Sequence, residues 1–154
     1  MDQITGTGHG IGKCLAMQFA DLCAKVGCVD INAETTKEIN SKWKGKAIAY
    51  TCDVSTLEKV RKLGEKVKSE VGTVTILVNN AGIMPCKPLE AHDEITIKKI
   101  FDINVFAHFW MLDTFFPEMK AMNKGHLVFL SSMAGIIGLK NVVPYCASKF
   151  AVRG

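Results

Sequence analysis

No Cys-x-x-Cys pair occurs in the 154 residues, and no histidine stands at zinc-ligand spacing beside any of the six cysteines. No metal site is expected from that spacing. Cys14, Cys23, Cys28, Cys52, Cys86 and Cys146 read instead as free thiols of a reducing compartment, mostly small buried hydrophobes. Met1-Asp2-Gln3-Ile4 is too short for a targeting segment, and no apolar run reaches the length that spans a bilayer. No basic run is interleaved with aromatics. The net charge of +4 is spread over Lys37, Lys42, Lys44, Lys46, Lys59, Arg61, Lys62, Lys66 and Lys68, a pattern of solvated helix faces that argues against a nucleic-acid partner. Repeats, low-complexity stretches and linkers are absent too, so residues 1–154 read as a single domain.

What the sequence has is an apolar content of 48% arranged in two alternating periodicities. Short apolar runs bounded by Gly, Asn or Asp predict buried strands ending at Ile4-Thr5 and spanning Gly27–Ile31, Ala47–Cys52, Val74–Asn79 and Gly125–Ser131. Helical spacing predicts helices over Gly10–Val26, with Ile11, Leu15, Phe19 and Leu22 on one face, and over Ala33–Trp43. Further helices are predicted over Ser55–Val71, over Glu94–Met122 with an irregular start, and from Val143 to Arg153. Ser55 with Glu58 three residues on matches a capping box. Strands alternating with helices of this length predict an α/β fold: a parallel sheet, doubly wound, with right-handed crossovers.

The first strand runs into Thr5-Gly6-Thr7-Gly8-His9-Gly10-Ile11-Gly12. Glycines at a strand-to-helix junction let the backbone approach a pyrophosphate, and the helix that follows aims its amides and positive dipole end at the anion. Asp30 ends the second strand, at the distance expected of an acid that accepts hydrogen bonds from a ribose 2′-hydroxyl and repels a 2′-phosphate. No Arg or Lys replaces it, which favours NAD over NADP; a strand-end cap is the other reading of Asp30.

Tyr145 and Lys149 are four residues apart, on one face of a helix. An ammonium beside a phenol stabilises the phenolate, so the pair can move a proton while a nicotinamide moves a hydride. Ser131 and Ser132 close the fifth strand, where ligands bind in open α/β sheets, and a hydroxyl there can polarise a substrate oxygen. Singly, Tyr145 also reads as a core residue, Lys149 as a solvated one and Ser132 as a loop cap.

Together these residues resemble the short-chain dehydrogenase/reductase family, over nearly the whole chain from Ile4 onward. Thr5-Gly6-x-x-x-Gly10-x-Gly12 matches the family's cofactor motif, with His9 and Ile11 inside it. Asp53-Val54 resembles the pair that meets the adenine, and Asn79-Asn80-Ala81-Gly82 the strand-four signature that lines the cofactor site. Asn104 falls where the family places a relay asparagine, and Ser132, Tyr145 and Lys149 match the catalytic set, Ser132 being preferred to Ser131 by its spacing to the tyrosine. The resemblance implies a Rossmann-type sheet with strand order 3-2-1-4-5 and the usual strands six and seven missing. It also implies that Tyr145 and Lys149 touch the cofactor. Val29-Asp30-Ile31-Asn32, Asn104–Trp110 and Pro144–Phe150 are most similar to the retinol and 17-beta-hydroxysteroid dehydrogenase group. That implies a small lipophilic alcohol or ketone substrate, NAD as cofactor and a homodimer. It further implies attachment to the cytoplasmic face of the endoplasmic reticulum or to lipid droplets through an N-terminal anchor. The chain alone is expected to be cytosolic.

Members of that group are longer. The chain ends within the helix bearing Tyr145, so it is expected to be a fragment, a shortened isoform or a partial gene model that binds cofactor poorly by itself, or else a catalytically impaired cofactor-binding or regulatory piece of such an enzyme. Strand five (His126, Leu127, Val128, Phe129, Leu130) is then an apolar edge. Ile136, Ile137, Leu139 and Val142, with the segment from Met84 to His92, read equally as an apolar pocket or as ordinary loop packing.

Overall fold

The computed structural model describes residues 1–22, 25–43 and 45–154, without the side chains at 35–37 and 40. Five parallel strands are present: β1 (Asp2–Thr5), β2 (Val26–Asp30), β3 (Ala47–Thr51), β4 (Ile76–Asn79) and β5 (His126–Phe129). They lie in the order β3-β2-β1-β4-β5, as the family resemblance implies. Ile4 of β1 pairs with Cys28 on one side and Val78 on the other, and Asn79 pairs with Phe129. The helices are α1 (Gly10–Asp21), α2 (Ala33–Lys42), α3 (Leu57–Glu70), α4 (Glu94–Phe101), α5 (Ala107–Ala121) and α6 (Val143–Arg153).

Two cores explain why the strand runs are apolar on both faces. Val29, Leu77, Val60, Val67, Met111 and Phe115 fill the space between the sheet and α3 with α5. Ile4, Val26, Cys28, Val78, Ala16, Ala20 and Ile39 fill the space toward α1 and α2. β5 is the sheet edge, with Phe129 37% exposed. The basic side chains of α3 pair outward: Arg61 with Asp113, Lys62 with Glu58, Lys68 with Glu118.

Four local expectations are corrected. α1 stops at Asp21, and Val26, fully buried, opens β2 beside Asp2 and Ala47, while Ile31 lies beyond the strand and is exposed. Cys23, Ala24 and Lys44, and the side chain of Lys37, lie outside the described residues. The buried stripe of α1 is Gly12, Ala16 and Ala20, because small residues let the helix approach the sheet; of the predicted face, Leu15 and Phe19 pack, partly buried, against the same core while Ile11 and Leu22 are exposed. Ser55 caps nothing. Its amide and hydroxyl both go to Asp53 Oδ1 (3.1 and 2.6 Å), a charged acceptor that outcompetes the helix terminus, and α3 begins two residues later. The irregularity in the long helical segment lies in its middle, a π turn over Asp102–Phe106, not at its start.

Gln3 is fully buried in the central strand, its Oε1 packed where a Cβ on Gly27 would fall, and neither Oε1 nor Nε2 has a partner among the described residues. Buried polar atoms without hydrogen bonds cost roughly 1–3 kcal/mol. Gln3→Leu, close in volume, is expected to stabilise the chain by about 2 kcal/mol. Urea unfolding measures it: the midpoint should rise at constant slope, and an unchanged midpoint would mean that the amide is satisfied in solution.

Candidate active site

The glycine turn is fastened to the end of β4. Thr5 Oγ1 accepts from the amides of Asn80 and Ala81, both at 3.0 Å, and donates to the Val78 carbonyl at 3.4 Å. Asn80 Nδ2 donates to the carbonyls of Thr5 (2.8 Å) and Gly6 (3.2 Å). Gly6 adopts φ +71°, and a Cβ there would stand 2.9 Å from Ala81 Cα. The turn delivers the chain into α1, whose N-cap His9 makes no side-chain cap and whose first turn holds no acid. The first amides of α1 are thus left for a ligand anion.

A cleft of about 310 Å³ opens at this junction. Gly6, His9, Ile11 and Gly12 line it from the turn, Asp30 from β2, Asp53 and Val54 from beyond β3, and Asn80, Ala81 and Gly82 from beyond β4. Gly10, also expected in the cofactor set, does not line it. Ile31, Cys52, Ile83 and Ile103 do, and sequence reasoning missed them. Neither Lys nor Arg is among the described residues that line the cleft, whereas two carboxylates are. Asp30 accepts the Gly8 amide on Oδ2 (2.8 Å) and the Asn32 amide on Oδ1 (2.9 Å), so it braces the glycine turn as well as facing the cleft. Burial pushes the Asp53 carboxyl up, but hydrogen bonds from Ser55 and the Lys59 ammonium outweigh it and hold the group below its ordinary value.

Two of the remaining candidates, Asn104 and Lys149, stand beside Gly82, which lines the cleft. A Cβ on Gly82 would stand 3.3 Å from Asn104 Oδ1 and 3.8 Å from Lys149 Nζ. Asn104, fully buried in the π turn, accepts from the Ile83 amide (2.8 Å) and donates to the Ile83 carbonyl (3.0 Å). Lys149 is only 4% exposed, which rules out a solvated helix lysine; its ammonium donates to the Leu130 carbonyl (2.7 Å), and burial pushes its pKa down. Nζ lies 5.9 Å from the centroid of the Tyr145 ring, one turn back on α6. Tyr145 packs on Ala134, Val142 and Cys146. Ser132 caps the short 3-10 turn Met133–Gly135, accepting from the Ala134 amide (3.1 Å), as the loop-cap reading of that residue expects. Ser131 instead donates to the Lys149 carbonyl (2.9 Å), so the end of β5 grips α6 at Lys149 twice. Ser132, Tyr145, Lys149 and Asn104 do not line the cleft itself.

His108, one turn beyond Asn104, was not singled out by the sequence. It is buried, its Nε2 has no partner, and burial with the nearby Lys149 charge pushes its pKa down to about 4, so the imidazole is neutral at ordinary pH.

A family model described as short chain dehydrogenase matches residues 3–154. The chain is 46% identical over 156 residues to epidermal retinol dehydrogenase 2 of Mus musculus, covering 98% of this chain and 50% of the relative. It is 42% identical over 154 residues to estradiol 17-beta-dehydrogenase 11 of Homo sapiens, covering 98% and 51%. The chain thus spans about half the length of the curated relatives it matches. Among solved structures, a short-chain dehydrogenase from Streptomyces avermitilis superposes with a TM-score of 0.92 at 25% identity, covering 97% of this chain and 56% of that one. A metagenomic short-chain oxidoreductase in complex with NADP gives 0.93 at 27% identity, covering 99% and 71%.

Proposed function

This chain belongs to the short chain dehydrogenase family, and from that premise we propose that the protein interconverts a lipophilic alcohol, retinol- or steroid-like, and its carbonyl with NAD as cofactor. One observation carries the reading. Lys149, buried on α6, and Asn104 both stand beside Gly82, a lining residue of the cleft, so a group able to handle a proton stands next to a cleft whose glycine turn and carboxylates suit a dinucleotide. The cleft suits the cofactor on its own terms: an uncapped helix N-terminus without acids for the pyrophosphate, and Asp30 for a ribose. Bound there, the nicotinamide supplies hydride transfer. Tyr145 takes or returns the proton of the substrate oxygen, Lys149 supports the phenolate by its charge and holds the ribose, Ser132 anchors the substrate oxygen, and Asn104 serves a proton relay.

Met84, Met133, Ile136, Ile137 and Leu139 expose apolar side chains, which supports a lipophilic substrate. The names of the relatives, retinol and estradiol dehydrogenases, point the same way. Pairing into a homodimer and attachment to the endoplasmic reticulum or lipid droplets belong to the same proposal. The end of the π turn and α5 expose Phe106, Phe109 and Phe116, a face suited to a partner; among the described residues no helix is long and apolar enough to cross a membrane.

Two carboxylates and no Lys or Arg among the described residues that line the cleft support NAD over NADP, although the metagenomic neighbour is a complex with NADP. Titration with NADH and NADPH, read by nicotinamide fluorescence, tests both parts. Saturable binding is expected, with NADH favoured about tenfold, equivalent to about 1.4 kcal/mol. Failure to bind either nucleotide overturns the cleft assignment, and tighter NADPH binding overturns the NAD preference. That Ser132, Tyr145, Lys149 and Asn104 stand outside the cleft lining favours a second reading, a cofactor-binding or regulatory piece with impaired catalysis. Binding without any turnover of lipophilic alcohols would select it.

A further inference from the structure

We propose that Ser148, one of the unspecified positions between Tyr145 and Lys149, is a positioning residue that joins the relay asparagine to the catalytic tyrosine. The inference rests on the reaction proposed above. Ser148 is fully buried. Its Oγ accepts from Asn104 Nδ2 at 3.0 Å and donates to the Tyr145 carbonyl at 2.7 Å. The Asn104 amide is thereby used completely: Oδ1 takes the Ile83 amide, one N–H goes to the Ile83 carbonyl, and the other goes to Ser148. A flipped amide would set its NH₂ against the Ile83 N–H and its oxygen against the Ile83 carbonyl, so the orientation is unique. Ser148 bonds back to a carbonyl of its own helix three residues earlier, which shapes the turn of α6 that carries both Tyr145 and Lys149. Asn104 stands on a π turn, a register defect that must be held from outside the helix, and the catalytic pair stands on α6. The Ser148 hydroxyl is a direct side-chain link between these two elements, and Ser148 does not line the cleft.

The test is a double-mutant cycle in the alcohol oxidation assay, with Ser148→Ala, Ser148→Cys, Asn104→Ala and the Ser148→Ala/Asn104→Ala pair. Ser148→Ala is expected to lower kcat about tenfold while the cofactor KM moves less than about twofold, because the tyrosine is displaced rather than the cleft. Ser148→Cys, similar in shape but a poor hydrogen-bonding partner, is expected to fall with it. In the Asn104→Ala background, Ser148→Ala should have no further effect. An unchanged kcat in Ser148→Ala, or an equal loss in the Asn104→Ala background, overturns the proposal. A second measurement needs no turnover. In the 154-residue chain, the two Asn104 side-chain amide protons should both exchange slowly by NMR, and Ser148→Ala should speed exchange of one at least tenfold. Fast exchange of both in the unsubstituted chain, or no change on substitution, removes the link itself. If the unsubstituted protein shows no turnover, the reaction assignment fails while the amide measurement still decides the role of Ser148.

Discussion

Replacing Tyr145 with phenylalanine is expected to slow alcohol oxidation about a thousandfold while leaving cofactor binding intact to within about twofold. The ring packs on Ala134, Val142 and Cys146, and phenylalanine keeps that packing. The Lys149 ammonium keeps its hydrogen bond to the Leu130 carbonyl, so no buried charge loses a partner. Only the oxygen proposed to transfer the proton disappears, and a positioned acid–base group contributes about 10²- to 10⁴-fold. Initial rates of NADH formation from a steroid- or retinol-like alcohol give the first quantity, and nicotinamide fluorescence gives the second. A variant that turns over normally would move the search to another group. His108, buried and neutral near the Lys149 charge, with an Nε2 that has no partner among the described residues, is one such candidate. A rate loss matched by an equal loss of cofactor affinity would instead mean that the hydroxyl contributes binding alone.

How much of this was legible in the sequence differs from element to element for physical reasons. The β4 run was legible because a strand buried on both faces must be apolar throughout, and Leu77 and Val78 are 0% and 2% exposed. The pairing of Tyr145 with Lys149 was legible because four residues is one helical turn. Asp30, Asp53 and the glycine turn converge because the carboxyl ends of parallel strands meet there, which follows from topology. The π turn was not legible, since a one-residue change of helical register leaves no mark on an apolar periodicity averaged over the long segment from Glu94 to Met122. Ser55 was misread because a local capping pattern carries no information about the rival carboxylate two residues earlier. The bracing roles of Thr5, Ser131 and Ser148 were not legible because each acts through a hydrogen bond to a distant part of the chain. Thr5 and Asn80 are 75 residues apart, and Asn104 and Ser148 are 44 apart. A hydroxyl in such a role looks like any other small polar residue until the fold supplies its partner.

Gly12→Ala is expected to cost the fold about 3 kcal/mol, at the upper end of ordinary overpacking, and to weaken cofactor binding at least about a hundredfold. A Cβ at Gly12 would overlap the Gly6 carbonyl oxygen and Asn80 Nδ2. Neither neighbour can give way. The carbonyl belongs to the turn itself, and the Asn80 amide is held by the carbonyls of Thr5 and Gly6. α1 must therefore draw back from the sheet, taking with it the amides that face the cleft, or the strand-four signature must release the turn. Gly10→Ala provides the contrast. Its φ of +56° makes any side chain strained, costing roughly 1–2 kcal/mol, yet no atom lies within 4 Å of the new Cβ, so the bolted turn stays in place. Thermal unfolding with and without NADH separates the two variants. Gly10→Ala should melt lower and still gain stability from the nucleotide, whereas Gly12→Ala should melt lower and gain none. If Gly12→Ala keeps the nucleotide-dependent gain, the close approach of α1 to the glycine turn is not what builds the cleft, and the cofactor-binding assignment of the turn fails with it.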